Sequence, residues 1–170
     1  MNIELIRLNK NHKNDFIKIN NSIKNSLENP EFFIGFFSEE EIDDILKNPF
    51  KISKTIFYGY FENNKLLSIS GLFLDVDSFK DELENLNIDS NYCAEIGASM
   101  TLQSARGKKC MLNINKKLLE ISKKLNLKYI LATAHPDNIA SNKSLKNLNM
   151  TFVKEFSRDG FRRNFYIKSI

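Results

Sequence analysis

Gln103-Ser104-Ala105-Arg106-Gly107-Lys108-Lys109-Cys110-Met111-Leu112 joins two segments of different hydrophobic period. Before it, Tyr92 to Leu102 reads as a strand. After it, Met111, Ile114, Leu118, Ile121 and Leu125 recur at steps of three and four, with Lys and Asn between them, as on an amphipathic helix. Lys128 to Ala134 follows as a compact buried strand. Strand, helix and strand in this order predict a crossover between two parallel strands at the centre of the fold.

The flanking sequence extends that centre on both sides. Ile3 to Leu8 alternates apolar and polar residues, the two-residue period of a half-buried strand. Phe16, Ile19, Ile23 and Leu27 have helical spacing, closed by Pro30. Ser38 and Glu41 form a capping-box pattern for a helix through about Lys47, stopped before Pro49. Thr55 to Phe61 and Leu66 to Leu74 read as a hairpin about the turn Glu62-Asn63-Asn64-Lys65. Residues 75 to 90 are charged and are placed at the surface, with a helical turn around Phe79 to Leu86. A helix from about Asn138 to Leu148 precedes strands at Phe152 to Phe156 and Phe161 to Ile167, the last two joined by Arg158-Asp159-Gly160. The whole predicts one α/β (α+β) domain over residues 1–170, with a mixed, partly parallel central sheet of about seven strands flanked by helices.

Composition narrows the functional classes. The chain is 42% hydrophobic with 14 Phe and no Trp, enough for a core without metal or disulfide staples. It has neither an apolar run of roughly 18 residues nor a signal-peptide core at Met1 to Asp15, so the cytoplasm is expected and no membrane partner. Cys93 and Cys110 lack the spacing of a metal knuckle and read as free thiols; no metal is expected. Net charge is only +4, but Arg106, Lys108, Lys109, Lys116, Lys117, Lys123 and Lys124 face Glu120 alone between residues 106 and 125. That stretch attracts anions, yet no aromatic residues interleave with its lysines, so nucleic acid is not the expected partner. His12 has no partner pattern and reads as an exposed residue before the first helix.

A strand that passes through a basic turn into a helix presents unpaired N–H groups at the positive end of the helix dipole. Such a corner binds phosphate. Arg106 and Lys108 add charge, and Gly107 permits close approach of the backbone. The segment resembles the GNAT superfamily of N-acetyltransferases, whose signature Arg/Gln-x-x-Gly-x-Gly/Ala stands at this junction. Arg106-Gly107-Lys108 matches, whereas Lys109 and Met111 replace small residues; core packing explains Met111. A second segment, Lys128-Tyr129-Ile130-Leu131-Ala132-Thr133-Ala134-His135-Pro136-Asp137-Asn138, ending in Leu148-Asn149-Met150-Thr151-Phe152, repeats the family's order of strand, Asn, short helix and Leu-Gly-Phe. Asn149 stands where Gly is usual and is the best other residue for a left-handed helix end. The likeness is specific over about residues 93 to 153 and topological before them.

The resemblance implies a fold whose central strands splay apart to admit the coenzyme arm, and acetyl-CoA as co-substrate. It assigns coenzyme binding to Met100, Thr101, Leu102, Arg106, Gly107, Lys108, Lys109, Cys110, Met111 and Leu112, with Asn138, Ser141 and Lys143 on the next helix. Asn138 also suits a plain helix cap. Direct transfer to an amine needs a proton acceptor and a group to meet the departing thiolate. Glu95, on the central strand where the family often keeps a carboxylate, is the expected base; a solvent-facing or Lys-paired residue is its bland alternative. The family's usual acid, a Tyr seven positions beyond the Asn, is replaced by Leu145. Tyr166 and His135 are the substitutes, although His-Pro-Asp-Asn also reads as a structural turn. Cys110, in the first turn of the helix, suits a buried side chain better than a ping-pong nucleophile.

The expected activity is therefore transfer of an acetyl group to a primary amine of a small molecule or protein, by a monomer or homodimer. A non-catalytic acyl-CoA sensor of the same fold is the alternative, kept by Leu145. The acidic groups at 39 to 44 and 75 to 89 are expected on solvated faces and weakly favour a cationic acceptor.

Overall fold

The computed structural model describes residues 1–47 and 54–170. In chain order these form β1 (Ile3–Arg7), α1 (Lys13–Ser26), α2 (Glu39–Lys47), β2 (Thr55–Glu62), β3 (Lys65–Phe73), α3 (Lys80–Asn85), β4 (Cys93–Thr101), α4 (Cys110–Lys124), β5 (Tyr129–Ala134), α5 (Ile139–Asn147), β6 (Thr151–Arg158) and β7 (Phe161–Ser169). One mixed sheet runs in the order β1-β2-β3-β4-β5-β7-β6. Among the described residues only β4 and β5 pair in parallel, joined by α4 as the crossover.

Local chemistry explains most boundaries. The Ser38 hydroxyl accepts from the Glu41 N–H at 3.2 Å while the Glu41 carboxylate accepts from the Ser38 N–H at 2.7 Å, the expected capping box. The stop expected at Pro49 lies outside the described residues. The β2–β3 turn has Asn63 and Asn64 both at positive φ, and Asp159-Gly160 has the same pair of signs between β6 and β7. Both are the primed turns whose twist matches a hairpin. Asn149 closes α5 at φ +56°, and the Met150 N–H reaches back to the Leu145 carbonyl at 3.2 Å. This is the left-handed helix end that the Asn predicts.

Three apolar clusters fill the two faces of the sheet. Ile114 and Leu118 of α4 and Leu145 and Leu148 of α5 pack on Ala94, Ile96, Ile130 and Ala132. On the other face, α1 and α2 cover Phe57, Ile69 and Met100. Two expectations need correction. Residues 75 to 90 do not merely lie on the surface: Val76, Phe79 and Leu83 are buried against Leu131 and Phe165 in a third cluster, with the charges turned outward. On α4 the buried stripe is Cys110, Ile114, Leu118 and Ser122, with Asn115 beside it. Leu125 is 41% exposed because α4 ends at Lys124, and Met111 in its first turn is only half-buried because it lines a cleft. Among the described residues no helix is long and apolar enough to cross a membrane.

Candidate active site

β4 and β5 stay together for only three pairs, Cys93 with Tyr129, Ala94 with Ile130 and Glu95 with Leu131. Beyond them the strands part. The cause lies in β4, where Gly71 pairs with Gly97 and Ile69 with Met100, so that Ser70 alone opposes both Ala98 and Ser99. This is a β-bulge, with Ala98 at φ +49°. It is tied down by a 2.7 Å contact between the Ser70 and Ser99 hydroxyls and a 2.9 Å bond from the Ser68 hydroxyl to the Met100 carbonyl.

The opening is the mouth of a cleft of about 470 Å³ lined from both faces of the sheet. Met111, Asn115, Ser141, Ser144 and Leu145 line it on the α4–α5 side. Phe32, Phe33, Phe37, Glu95, Arg158 and Arg163 line it on the other, with Asp75 and Asp159 at the rim. The alternation of β4 produces this division: Ala94 and Ile96 point into the α4-side core, and Glu95 to the opposite face.

At the α4 end, Arg106 is extended, Gly107 has φ +83° and Lys109 φ +60°, and α4 begins at Cys110 without a side-chain cap. The first amides of the helix have no intrahelical acceptor by geometry. A Cβ on Gly107 would meet nothing within 4 Å, so the corner is open. Lys109 therefore takes, without being glycine, the backbone conformation that glycine favours at this place. Lys108 is turned away to Glu62 at 3.0 Å. Among the described residues Arg106 and Lys109 have no ion-pair partner.

The fit of a coenzyme-like ligand is tested by one atom. Asn115 is 1% exposed, lines the cleft, and its Oδ1 has no hydrogen-bond partner among the described residues. Buried polar atoms are nearly always paired. An amide-bearing chain threaded through the opening would supply the missing donor, and the uncapped amides of α4 suit the diphosphate at its end.

The expected catalytic residues are not brought together. Glu95 is buried at the cleft wall, and Arg158 donates to both of its oxygens at 2.6 and 2.9 Å. Tyr166 faces the α4–α5 side, fully buried, and donates its hydroxyl to Asn142 Oδ1 at 2.7 Å; burial pushes its phenol above the usual value. His135 is also buried: its Nδ1 accepts from the Asp137 N–H at 3.1 Å and its Nε2 lies 3.2 Å from Glu31 Oε2. Both nitrogens are thus engaged outside the cleft, in the turn that the sequence also allowed. Asn138 caps α5, its Oδ1 accepting from the Ser141 N–H at 3.1 Å. Met100 lies in the α1-side core, Thr101 meets the Ser68 hydroxyl at 2.7 Å, and Lys143 is exposed on α5.

Three residues escaped the sequence reading. Asn142, buried, donates to the His135 and Asn138 carbonyls and accepts from Tyr166 and Asn164, fixing the β5–α5 turn. Nothing in a chain rich in Asn marks it out. Asn115 was legible, four positions after Met111 and three before Leu118 on the inner face of α4. So was Arg163, which alternates with Phe161 and Phe165 on β7.

Solved structures with this arrangement are numerous. An N-acetyltransferase from Staphylococcus aureus Mu50 superposes with a TM-score of 0.76 at 16% identity, over 99% of each chain. An acetyltransferase of the GNAT family from Streptococcus pneumoniae gives 0.75 at 11%, again over 99% of each. This chain has the GNAT fold. An aminoglycoside acetyltransferase solved in complex with coenzyme A is similar at a TM-score of 0.74 and 10% identity, over 99% of this chain and 95% of that one. No family model and no curated protein matches the sequence. In the GNAT fold of this chain, the cleft at the splayed strands reaches the first turn of α4 at Met111, four residues beyond the open corner at Gly107.

Proposed function

We propose that the protein is an acyl-CoA-dependent N-acyltransferase, using acetyl-CoA and transferring directly to a primary amine. The observation that carries this reading is the cleft at the β4–β5 splay, whose wall includes Met111 in the uncapped first turn of α4 and, on the other face of the sheet, the Glu95 carboxylate. A thioester bound there supplies an activated acyl carbon. The amides of Cys110, Met111 and Leu112, with Arg106 and Lys109, hold the diphosphate. Asn138 and Ser141 flank the arm, and Asn115 accepts a hydrogen bond from it.

The acceptor amine enters from the side of Phe32, Phe33 and Phe37. Glu95 is the proton acceptor: each of its oxygens keeps a lone pair beyond the one bonded to Arg158, which fixes the carboxylate in place. Neither Tyr166 nor His135 reaches the cleft, so the thiolate leaves to solvent without a dedicated acid. Leu145 at the expected Tyr position and the Glu95–Arg158 pair also favour a second reading, a binding module for acyl-CoA without turnover.

Thermal melting with acetyl-CoA and release of free thiol against a panel of amines test both. Binding to the native state alone at 100 times Kd adds about 2.7 kcal/mol of stability. A raised midpoint with thiol release supports the enzyme; a raised midpoint without it supports the module; no shift removes both.

A further inference from the structure

We propose that the acceptor carries a carboxylate next to its amine, as an amino acid does, and that Arg163 reads it. This rests on the reading of the cleft as an N-acyl transfer site. Arg163 stands on β7 between Phe161 and Phe165, is 3% exposed and lines the cleft. Its Nη1 donates to the Arg162 carbonyl at 2.9 Å and its Nη2 to the Glu31 carbonyl at 2.6 Å. Both acceptors are neutral. Among the described residues no carboxylate oxygen lies within ion-pair distance of it.

The neighbouring arginines differ in this respect. Arg158 is matched by Glu95, and Arg162 by Glu155. A buried charge without a counter-ion is costly, and the flank of the Phe161 ring, 5.9 Å away, offsets little of that. A guanidinium has five N–H donors in a planar fork, so three remain after the two carbonyls, and that fork fits a carboxylate. Asp75 and Asp159 at the rim of the same cleft suit the incoming ammonium.

The opposite signs favour an acceptor with both charges over the cationic acceptor that the acidic groups in the sequence suggested. Those groups do not form the cleft: Asp43 is held by Lys13 and Lys47, and of the acids between 75 and 89 only Asp75 lines it.

Thiol release is measured with matched pairs, phenylalanine against phenethylamine and leucine against isopentylamine, together with the melting midpoint of the coenzyme A complex on adding N-acetylphenylalanine or N-acetylphenethylamine. A charge-assisted bond predicts kcat/KM about 10-fold or more higher for the amino acids, and a larger midpoint shift for the carboxylated product. Arg163→Lys is expected to raise KM for the amino acid about 10-fold, with a smaller change in kcat. Equal or faster turnover of the decarboxylated amines overturns the proposal while leaving the transferase reading intact. If no amine is turned over, the transferase reading fails by itself, and equal midpoint shifts for the two products overturn the carboxylate site separately.

Discussion

Arg158 grips both carboxylate oxygens of Glu95 from the far end of the sheet, 63 residues along the chain, and its guanidinium also lies 4.6 Å over the Phe79 ring. The pair joins β4 to the β6–β7 turn across the mouth of the cleft. Both side chains are largely buried, so removing one leaves the other charged and unmatched. Arg158→Ala is expected to cost about 3–5 kcal/mol in urea unfolding, while a double change of Glu95 and Arg158 to Leu recovers much of it. A loss below 1 kcal/mol would show that water already compensates the pair.

Glu95→Gln keeps the shape and one acceptor but cannot take a proton. Transfer is expected to fall by about 10²-fold or more, with the deficit largest below the pKa of the amine, where a base is most needed. Rates equal to wild type across a pH profile would return Glu95 to a purely structural partner of Arg158.

Lys109 holds φ +60° at the entrance to α4, where a side chain costs roughly 1 kcal/mol relative to glycine. Lys109→Gly is therefore expected to stabilise the protein by up to about 1 kcal/mol in chemical unfolding. If backbone amides hold the coenzyme as proposed, affinity for coenzyme A is expected to fall only as far as the lost cation contributes. Loss of binding altogether would place recognition in the lysine side chain.

That position shows what the sequence could and could not disclose. The departure from the glycine-rich signature at Lys109 concealed a left-handed backbone at φ +60°, whereas the Asn in place of Gly at position 149 disclosed the one at φ +56°. Chain order, helical period and turn chemistry made the strands and helices legible, since each is set by neighbours within a few residues. The cleft was not. The run Phe32-Phe33-Ile34-Gly35-Phe36-Phe37 has no period and its role appears only when β7 brings Arg163 to the Glu31 carbonyl, 132 residues away. The engagement of Tyr166 by Asn142 is likewise a contact across elements, invisible to spacing.

Asn138 separates capping from ligand binding. Asn138→Ala removes the bond to the Ser141 N–H and is expected to cost about 1 kcal/mol, whereas Asn138→Ser keeps a cap. If the remaining amide touches the coenzyme arm, both variants weaken coenzyme A binding although only the first is destabilised. Wild-type affinity in the Ser variant would leave Asn138 a cap alone.

Both thiols are buried, and burial pushes them upward, Cys93 to about 11 with Asp89 adding to the effect. At pH 8 a thiol of that pKa is only about 0.1% ionised. Neither cysteine is expected to react with a thiol reagent in the folded protein, and both do so in denaturant, which argues against a ping-pong nucleophile at Cys110. Linkage adds a sign: unfolded Cys93 ionises near 9 and the folded residue only near 11, so stability declines as pH rises through that window. Rapid modification of the native protein would contradict the buried geometry.

Asn115 is expected to trade stability for binding. Its unpaired Oδ1 belongs to a wall shared with Met111, Ser141, Ser144 and Leu145, and an unsatisfied buried acceptor costs about 1–3 kcal/mol. Asn115→Leu fills similar space without that penalty, so the variant alone is expected to melt higher than wild type. In the presence of coenzyme A that advantage is expected to shrink by up to about 1.4 kcal/mol, because the variant offers no acceptor to the arm and affinity falls about 10-fold. Melting curves with and without coenzyme A report both effects in one experiment. A variant that is no more stable alone and equally stabilised by the ligand would mean that Asn115 is satisfied by water and takes no part in binding.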